Sequence, residues 1–337
     1  MLITKTKYMK EILYTLIFST FVCQFTKAQK VPIQDDFAHT YSIVAFDEKT
    51  GEMAVGVQSH WFAVGKVVPW VKAGVGVVAT QSFVNIDYGV KGLELLEKGA
   101  RPITAFEEIR NKDEGEAFRQ VAIMNNLGEV FAFTGQQCIA EASHFAGKHF
   151  SVQANMMAND KVVPAMAKAY QTNMDLPLAE RVLVTLKAAQ DAGGDIRGMQ
   201  SAALVVVDGK IEKGQHQAVK KIDLRVDDAA YPLAELERLL QVHRAYEFMN
   251  EADVALEKKN FTKALGLYQK AEKLQPNNIE IQFWKALAMM QSSDKEKGIR
   301  GMKKIISQHS NWQHLLYRLV QVDVVNLSQE DLDALER

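Results

Sequence analysis

The order in which strand and helix patterns follow one another constrains the fold of this chain more than any other feature. Strand-like segments come first, two helical segments follow, and the same sequence of strands and a helix pair then repeats before a last strand segment. Doubly wound nucleotide-binding folds alternate strand and helix strictly, so this order argues against them. It predicts an α+β domain in which an antiparallel sheet system is covered by helix pairs.

The first strand pattern is TYSIVAFD, at residues 40–47. Tyr41, Ile43 and Ala45 point to one face of this segment, and Val44 and Phe46 point to the other. Both faces are therefore apolar, and we expect a buried strand. Residues 48–51 then form a hairpin turn, with Gly51 where a positive φ is favoured. The segments that follow are rich in β-branched residues and supply the further strands of the sheet system.

The C-terminal part of the chain, from Pro232 onward, reads as helical throughout. Residues 245–278 span the 34-residue period of a tetratricopeptide (TPR) repeat. The positions where that repeat favours aromatic, small and proline residues are filled by Phe248, Ala252, Ala264, Tyr268, Ala271 and Pro276. A weaker second copy starts at Ile279. Because about three repeats are needed to stand alone, we expect this TPR-like tail to pack on the first domain.

The N-terminus has the three-part pattern of a secretory signal. Lys5, Lys7 and Lys10 precede an apolar run at residues 12–25, and Ala28 offers a small residue for cleavage. The run is shorter than the ~20 residues that span a bilayer, so we expect export to the periplasm or medium and no membrane span after signal removal. An uncleaved anchor is the alternative.

These patterns divide the chain into four parts. They are a signal peptide (1–28), a connector or pro-segment (29–39), an α+β domain (40–240) and a TPR-like helical region (241–337).

Charge and cysteine content exclude several classes of function. The chain has 40 Lys and Arg against 41 Asp and Glu, a formal net charge of −1, which argues against a nucleic-acid partner. Removal of the leader leaves Cys138 alone, so neither an internal disulfide nor a cysteine-based zinc site is expected. The histidines are scattered and no HExxH motif occurs. We therefore predict no metal and no cofactor, and the oligomeric state stays open.

Residues 40–240 resemble the family called domain of unknown function 1028. The resemblance rests on TYSIVAFDEKTGEMAVGVQSHWFAVGKVVPWVKAGVGVVATQSF, YGVKGLELL, FTGQQCI, FSVQANMM, GGDIRGMQSAAL and DLRVDDAAYPLAELERLL. It implies an αββα sandwich of the N-terminal-nucleophile (Ntn) hydrolase type. The reaction of the family is unknown, so the resemblance implies the fold more strongly than the chemistry.

The resemblance also implies a nucleophile, because the first strand of Ntn hydrolases begins with one, and Thr40 stands there. A threonine hydroxyl needs a base, and the α-amine of the same residue, with a pKa of about 7.7–8.0, can serve. Thr40 is internal, so this role requires a second cut, between His39 and Thr40. Ser42 is the reserve candidate, and an ordinary strand residue in an inactive relative is the alternative.

Further site residues follow from the same resemblance. Lys72 falls where proteasome-like subunits place a lysine beside the nucleophile, but Gln58 replaces the aspartate that would pair with it. This departure puts the role of Lys72 in doubt, and a solvated strand-end charge is the alternative. A separate candidate comes from the residues themselves: ATQSF, at residues 79–83, ends a strand with small polar residues, and the backbone N–H groups of Gln81 and Ser82 could form an oxyanion hole there.

The glycine-rich segment at residues 193–202 brings two charged residues to the entry of a strand. Asp195 and Arg197 are candidates for binding a substrate carboxylate or amine, or they pair with each other beside a glycine helix cap. Two functions compete: an exported peptidase or amidohydrolase acting on a peptide or small amide, and a non-catalytic protein that binds a protein partner through its TPR-like tail.

Overall fold

The computed structural model describes residues 37–212, 214, 216 and 219–336. The predicted signal peptide and residues 29–36 of the predicted connector lie outside this part of the chain. Phe37 and all the described residues that follow it belong to one compact unit. Within these ranges no helix has the length and apolar character needed to cross a membrane.

Two antiparallel sheets form the body of the protein. In chain order the strands are β1 (Phe37–Ala38), β2 (Thr40–Phe46), β3 (Glu52–Ser59), β4 (Pro69–Lys72), β5 (Gly76–Phe83), β6 (Arg119–Asn125), β7 (Val130–Thr134), β8 (Ser143–Gly147), β9 (Phe150–Ala154), β10 (Ser201–Asp208) and β11 (Ile222–Val226). The first sheet has the order β1-β5-β6-β7, and β4 also pairs with β5. The second has the order β11-β10-β3-β2-β9-β8.

Helices cover the sheets and continue into the tail, and short 3₁₀ turns lie at Val64–Lys66 and Glu116–Phe118. In chain order the α-helices are α1 (Asp87–Glu97), α2 (Pro102–Arg110), α3 (Val162–Thr172), α4 (Leu178–Asp191), α5 (Pro232–Glu257), α6 (Phe261–Leu274), α7 (Ile279–Met290), α8 (Lys295–Gln308), α9 (Asn311–Gln321) and α10 (Gln329–Glu336). The predicted α+β class and the all-helical C-terminal region are therefore confirmed.

Three hydrophobic clusters hold the body together. One lies between the two sheets and includes Val44 of β2, Val55 of β3 and Val77 of β5. A second joins α1 and α2 to the first sheet, with Phe106 at its centre. A third joins α3, α4 and the start of α5 to the second sheet, and Tyr170 belongs to it. Both sheets are thus buried on two faces, which explains why the strands read as apolar on both sides.

Helix α5 connects the body and the tail. Its first turns pack Leu236 and Leu240 on the cluster of the second sheet, and its later turns pack Ala245 and Met249 against α6 and α7. The division that the sequence suggests at residue 240 therefore falls inside a continuous helix. Small residues let the tail helices approach closely: a Cβ on Gly298 of α8 would clash with α7.

Strand β8 has no counterpart among the predicted strands. It is the edge strand of the second sheet, and four of its five residues are exposed. Without a buried face, its sequence SHFAG carries no alternation of apolar and polar residues, and alternation is the signal on which a strand prediction depends.

Candidate active site

The layer between the two sheets is apolar along most of its length and becomes polar at one end. On β2, Thr40 and Ser42 occupy the same face as Val44, which belongs to the apolar cluster between the sheets. The polar end contains side chains from four strands and from the residue after β9, all fully buried: Thr40, Ser42, Gln81, Gln120, Gln153 and Asn155. We call these six residues the polar layer.

Hydrogen bonds link the polar layer into one network. Ser42 Oγ donates to Gln81 Oε1 at 2.6 Å and accepts from Gln153 Nε2 at 2.7 Å. Gln120 Oε1 accepts from Gln81 Nε2 at 2.7 Å and from Asn155 Nδ2 at 2.9 Å. Buried amides are costly unless they are paired, and these amides are. The network is also uncharged, so it orients groups without titrating.

Thr40 begins β2 and lies within this layer. Its Oγ1 donates to the Ala38 carbonyl at 2.6 Å, and its own carbonyl accepts from Gln81 Nε2 at 3.2 Å. The described chain is continuous through His39, so the nitrogen of Thr40 is an amide and not a base. In the uncut chain the Thr40 hydroxyl is therefore oriented and buried, but the amide nitrogen of Thr40 cannot accept its proton.

The peptide group before Thr40 is held by two donors. The carbonyl of His39 accepts from Ser59 Oγ at 2.6 Å and from Arg197 Nη2 at 2.9 Å. Arg197 in turn forms an ion pair with the buried Asp195, at 2.7 Å from Nη2 to Oδ2. The structure therefore brings the predicted pair Asp195 and Arg197 to the residue preceding Thr40, and the two charged groups bind each other.

The imidazole of His39 is itself part of the site. Its Nδ1 lies 2.9 Å from Asn155 Oδ1, and its ring contacts the Phe83 ring edge-on at 5.7 Å. Burial lowers the pKa of His39 below 6.5, and the Asn155 hydrogen bond offsets this in part. His39 is therefore neutral at neutral pH.

Gln81 and Ser82 lie in β5, where the backbone pairs with β6 and, at Ser82, also with β1. Ser82 has a φ of +73°, which is unusual for a residue with a side chain. Its hydroxyl is buried and has no hydrogen-bond partner among the described residues. Burial raises the pKa of the Cys138 thiol, and Ser82 lowers it in part. The backbone of Gln81 lies in the paired part of β5. Gln81 contacts Thr40 through its side chain, because its Nε2 donates to the Thr40 carbonyl.

Lys72 and Gln58 are not brought to Thr40. Lys72 pairs with Gly76 at the start of β5, and its Nζ contacts Glu97 of α1 at 2.7 Å. Gly76 and Gln81 are five residue steps apart along β5, about 17 Å at about 3.4 Å per step. Gln58 is the cross-strand neighbour of Tyr41, so its side chain lies on the helix-covered face of the sheet, opposite to Thr40.

Gln58 is nevertheless unusual. Its side chain is fully buried, and neither its Oε1 nor its Nε2 has a hydrogen-bond partner among the residues that the structure describes. Because the neighbouring Tyr41 belongs to the helix-facing cluster, this orphaned amide lies in an apolar setting. It does not contact the polar layer.

A cavity adjoins the polar layer from outside. It has a volume of about 510 Å³ and lies under the loop between β7 and β8, where it is lined by Thr134, Gly135, Gln136, Cys138, Ala140, Glu141, Ala142, Ser143 and His144. Thr134 Oγ1 connects the cavity to the layer, since it accepts from Gln120 Nε2 at 2.9 Å and lies 2.8 Å from His144 Nδ1. Burial lowers the pKa of His144.

Sequence reasoning missed Ser59, Gln120, Gln153 and Asn155. A signal was present in β6 and β9, where Gln120 and Gln153 are polar residues in otherwise mainly apolar buried strands. It was not interpretable because their partners within the polar layer lie between 35 and 111 residues away along the chain. Within the described ranges, no group of three or more His, Cys, Asp or Glu side chains is placed to hold a metal ion.

Comparison with known proteins places this geometry in a family. The model of a family of unknown function, DUF1028, matches residues 40–236. The crystal structure of protein SPO2555 from Silicibacter pomeroyi, of the same family, is similar to this chain with a TM-score of 0.54 and 29% sequence identity. The similarity covers 60% of this chain and 88% of that one. A search of curated proteins found no match.

Proposed function

The chain belongs to the DUF1028 family of unknown function, and we propose that it is an exported amide-bond hydrolase of the N-terminal-nucleophile type, on an αββα Ntn-hydrolase-like fold. One observation carries the proposal: Thr40 is the first residue of β2, and its hydroxyl lies at the polar end of the layer between the sheets. Residues 29–39 are then a pro-segment, and a cut between His39 and Thr40 frees the α-amine.

The reaction uses the two ends of one residue. Oγ1 of Thr40 bonds to the carbonyl carbon of the substrate amide while its proton passes to the free α-amine. The C–N bond of the substrate then breaks, and the protonated amine of Thr40 gives its proton to the departing nitrogen. Water attacks the resulting ester in the same way, which releases a carboxylic acid and restores Thr40.

The polar layer supports this chemistry by position and by its lack of charge. Gln81 Nε2 donates to the Thr40 carbonyl, which also accepts from the N–H of Asn155 at 3.1 Å. A carboxylate in place of these amides would raise the pKa of the α-amine and keep it protonated. Neutral amides do not have that effect. Lys72, bound to Glu97 at the far end of β5, receives no role.

Intact mass and an acylating probe test the proposal together. We expect the wild-type protein to begin at Thr40 and to take up one equivalent of a hydroxyl-directed acylating probe on that residue. Thr40→Ser retains the hydroxyl and should keep part of the labelling, whereas Thr40→Ala should keep none. Wild-type protein that retains residues 29–39 and stays unlabelled, where a known Ntn hydrolase reacts, would contradict the proposal.

A second function, a binding protein that is not catalytic, rests on a separate observation in the tail. A cavity of about 490 Å³ lies between α5 and α6, lined by Asn250, Glu251, Val254, Ala255, Lys258, Asn260 and Lys263. Paired helices with such a groove suit a peptide of a protein partner. This function takes precedence if Thr40 is neither released nor labelled.

A further inference from the structure

The chain passes from one sheet to the other at His39. Strand β1 pairs with the edge of β5, where Ala38 is opposite Ser82, and β2 begins two residues later in the second sheet. The peptide group of His39 and Thr40 therefore bridges the two sheets at the polar layer. It is the bond that the proposed function requires to be cut.

The donors at this bond converge on one oxygen. Ser59 Oγ and Arg197 Nη2 both donate to the His39 carbonyl, at 2.6 and 2.9 Å. The guanidinium also binds Asp195 twice, through Nε at 3.0 Å and Nη2 at 2.7 Å, and Asp195 is 2% exposed. A donor fixed by a buried partner does not need to reorganise when charge develops on the oxygen.

We propose that Ser59 and Arg197 hold the acyl oxygen during catalysis, and that the substrate is an extended peptide lying where residues 37–39 lie in the uncut chain. The inference rests on the proposed function. The carbonyl carbon of His39 is bonded to the nitrogen of Thr40, and a substrate acyl group is bonded to Oγ1 of the same residue. Only the Cα and Cβ of Thr40 separate its nitrogen from its Oγ1. We therefore infer that the oxygen of an acyl group on Oγ1 reaches the same donors as the oxygen of the His39 acyl group. The negative charge of the tetrahedral intermediate then falls on the oxygen that Arg197 and Ser59 hold.

The edge of β5 explains why the substrate is extended. Strand β4 occupies this edge from Gly76 to Ala79, and β1 continues it at Ser82 and Phe83. Release of residues 37–39 leaves the backbone at Ser82 and Phe83 without its strand partner. An extended peptide can add to a sheet edge by main-chain hydrogen bonds, and this one ends at Thr40.

The surroundings of His39 define the preferred side chain next to the scissile bond. Its imidazole lies between the ring of Phe83 and the amide of Asn155. A flat side chain with a hydrogen-bonding edge fits both neighbours, whereas a carboxylate would lose hydration beside a cation, Arg197, that is already paired with Asp195. We therefore expect histidine to be preferred over glutamate at this position.

The probe is acetyl-Phe-Ala-His coupled to aminomethylcoumarin, compared with the matching Phe-Ala-Glu compound. With the exported protein, we expect the histidine compound to be hydrolysed at least about 10-fold faster, because the carboxylate of the glutamate compound loses its hydration in the subsite. When kcat is calculated per molecule of protein that begins at Thr40, Arg197→Gln should lower it by about 100-fold, as loss of an oxyanion donor does. Ser59→Ala should lower it less, and Arg197→Lys should restore part of the loss.

Matched controls come from the neighbouring strands. Arg225 also donates to a main-chain carbonyl, that of Gly65 at 2.6 Å, and pairs with Asp223. Ser201 donates to the carbonyl of Trp61. Arg225→Gln and Ser201→Ala should stay within about 2-fold of the wild-type rate, because neither residue contacts the His39 carbonyl.

The outcomes separate this inference from the proposed function. Retention of residues 29–39 in Arg197→Gln but not in Arg225→Gln would support the inference, since the cut involves the same carbonyl. If wild-type Thr40 is labelled by the acylating probe but Arg197→Gln and Ser59→Ala keep wild-type rates, the donors are wrongly assigned and the function stands. If Thr40 is labelled but neither peptide is hydrolysed, the peptide substrate is wrong. If Thr40 is not labelled at all, both proposals fail.

Discussion

The two ends of β2 are both buried, and they stabilise their polar groups in opposite ways. At the start, Thr40 and Ser42 join an uncharged network of amides and hydroxyls. Just beyond the other end, Asp47 forms an ion pair with Arg181 of α4, at 2.7 Å, with both side chains almost fully buried. One strand therefore carries a neutral site and a charged one, about seven residues apart.

The charged end is held mainly by structural contacts. Arg181 Nη2 also donates to the carbonyls of Met174 and Leu176, and the guanidinium lies over the ring of Tyr170. These contacts tie α4 to neighbouring segments, and the buried Nε of Arg181 has no hydrogen-bond partner among the described residues. The neutral end, in contrast, has a bound peptide carbonyl and a hydroxyl whose partners change if the chain is cut at His39. This difference supports the proposal that the neutral end carries the function.

The largest effect is expected at the charged end. Arg181→Met removes the partner of Asp47 and leaves a buried carboxylate without a cation, which costs about 3–5 kcal/mol in free energy of unfolding. Denaturant titration measures the loss. Lys49→Met, at an exposed lysine near Asp175, is the control and should change stability by less than about 0.5 kcal/mol. An effect as small as that of the control would mean that the pair does not hold α4 in place.

The same contrast can be tested along β5, where Val77 lies in the apolar part of the layer and Gln81 in the polar part. Val77→Asn buries an amide without partners and should cost about 1–3 kcal/mol. Gln81→Leu should cost a similar ~1–3 kcal/mol, because it leaves Ser42 without its acceptor and the Thr40 carbonyl with fewer donors. Thermal and urea unfolding compare the two. If Gln81→Leu is stabilising, the polar layer is not a satisfied network.

The order of elements was enough to predict the α+β class, because both sheets are covered on their outer faces and the strands carry that burial in their composition. The position of Thr40 was also predictable, since the apolar pattern of β2 starts there. The family resemblance did not show the surroundings of Lys72. In the structure β4 pairs with the start of β5, in the sheet that does not contain β2.

The polar layer lay beyond sequence reasoning for a different reason. Its members come from β2, β5, β6 and β9, and each looks like an isolated polar residue in its own strand. Only the packing of one sheet on the other makes them neighbours. The role of Ser59 was hidden in the same way, because its acceptor is a main-chain carbonyl, that of His39, and carries no sequence signature.

Acid should weaken the charged end before the neutral one. Burial by itself would raise the pKa of Asp47, but the N–H groups of Thr50 and Lys49 and the guanidinium of Arg181 lower it below its ordinary 3.8. Since the folded-state pKa is the lower one, the carboxylate stabilises the fold above pH 3.8, and this contribution is lost as the pH falls through the folded-state pKa.

Asp47→Asn should therefore flatten the dependence of stability on pH below about 4, and its loss of stability relative to the wild type should become smaller as the pH falls. The control is Asp175→Asn, at a fully exposed carboxylate, which should leave the acid slope unchanged. Unfolding by urea at a series of pH values from 2 to 6 measures both. An acid slope that survives in Asp47→Asn would assign the acid sensitivity to another group.

The smallest effect on stability is expected at Thr40, where the effect on function should be complete. Relative to the uncut wild-type chain, Thr40→Val keeps the shape and the strand preference of the side chain and removes the hydrogen bond from Oγ1 to the Ala38 carbonyl. The substitution should lower the free energy of unfolding by the value of one neutral hydrogen bond, about 0.5–1.5 kcal/mol. It should abolish activity, because no hydroxyl is left at position 40 to attack an amide. On the same preparation, urea unfolding measures stability, and intact mass measures the cut before residue 40 and the uptake of the acylating probe. If Thr40→Val is cut and labelled like the wild type, Thr40 is not the nucleophile, and Ser42, bonded to Gln81 in the same layer, becomes the residue to test.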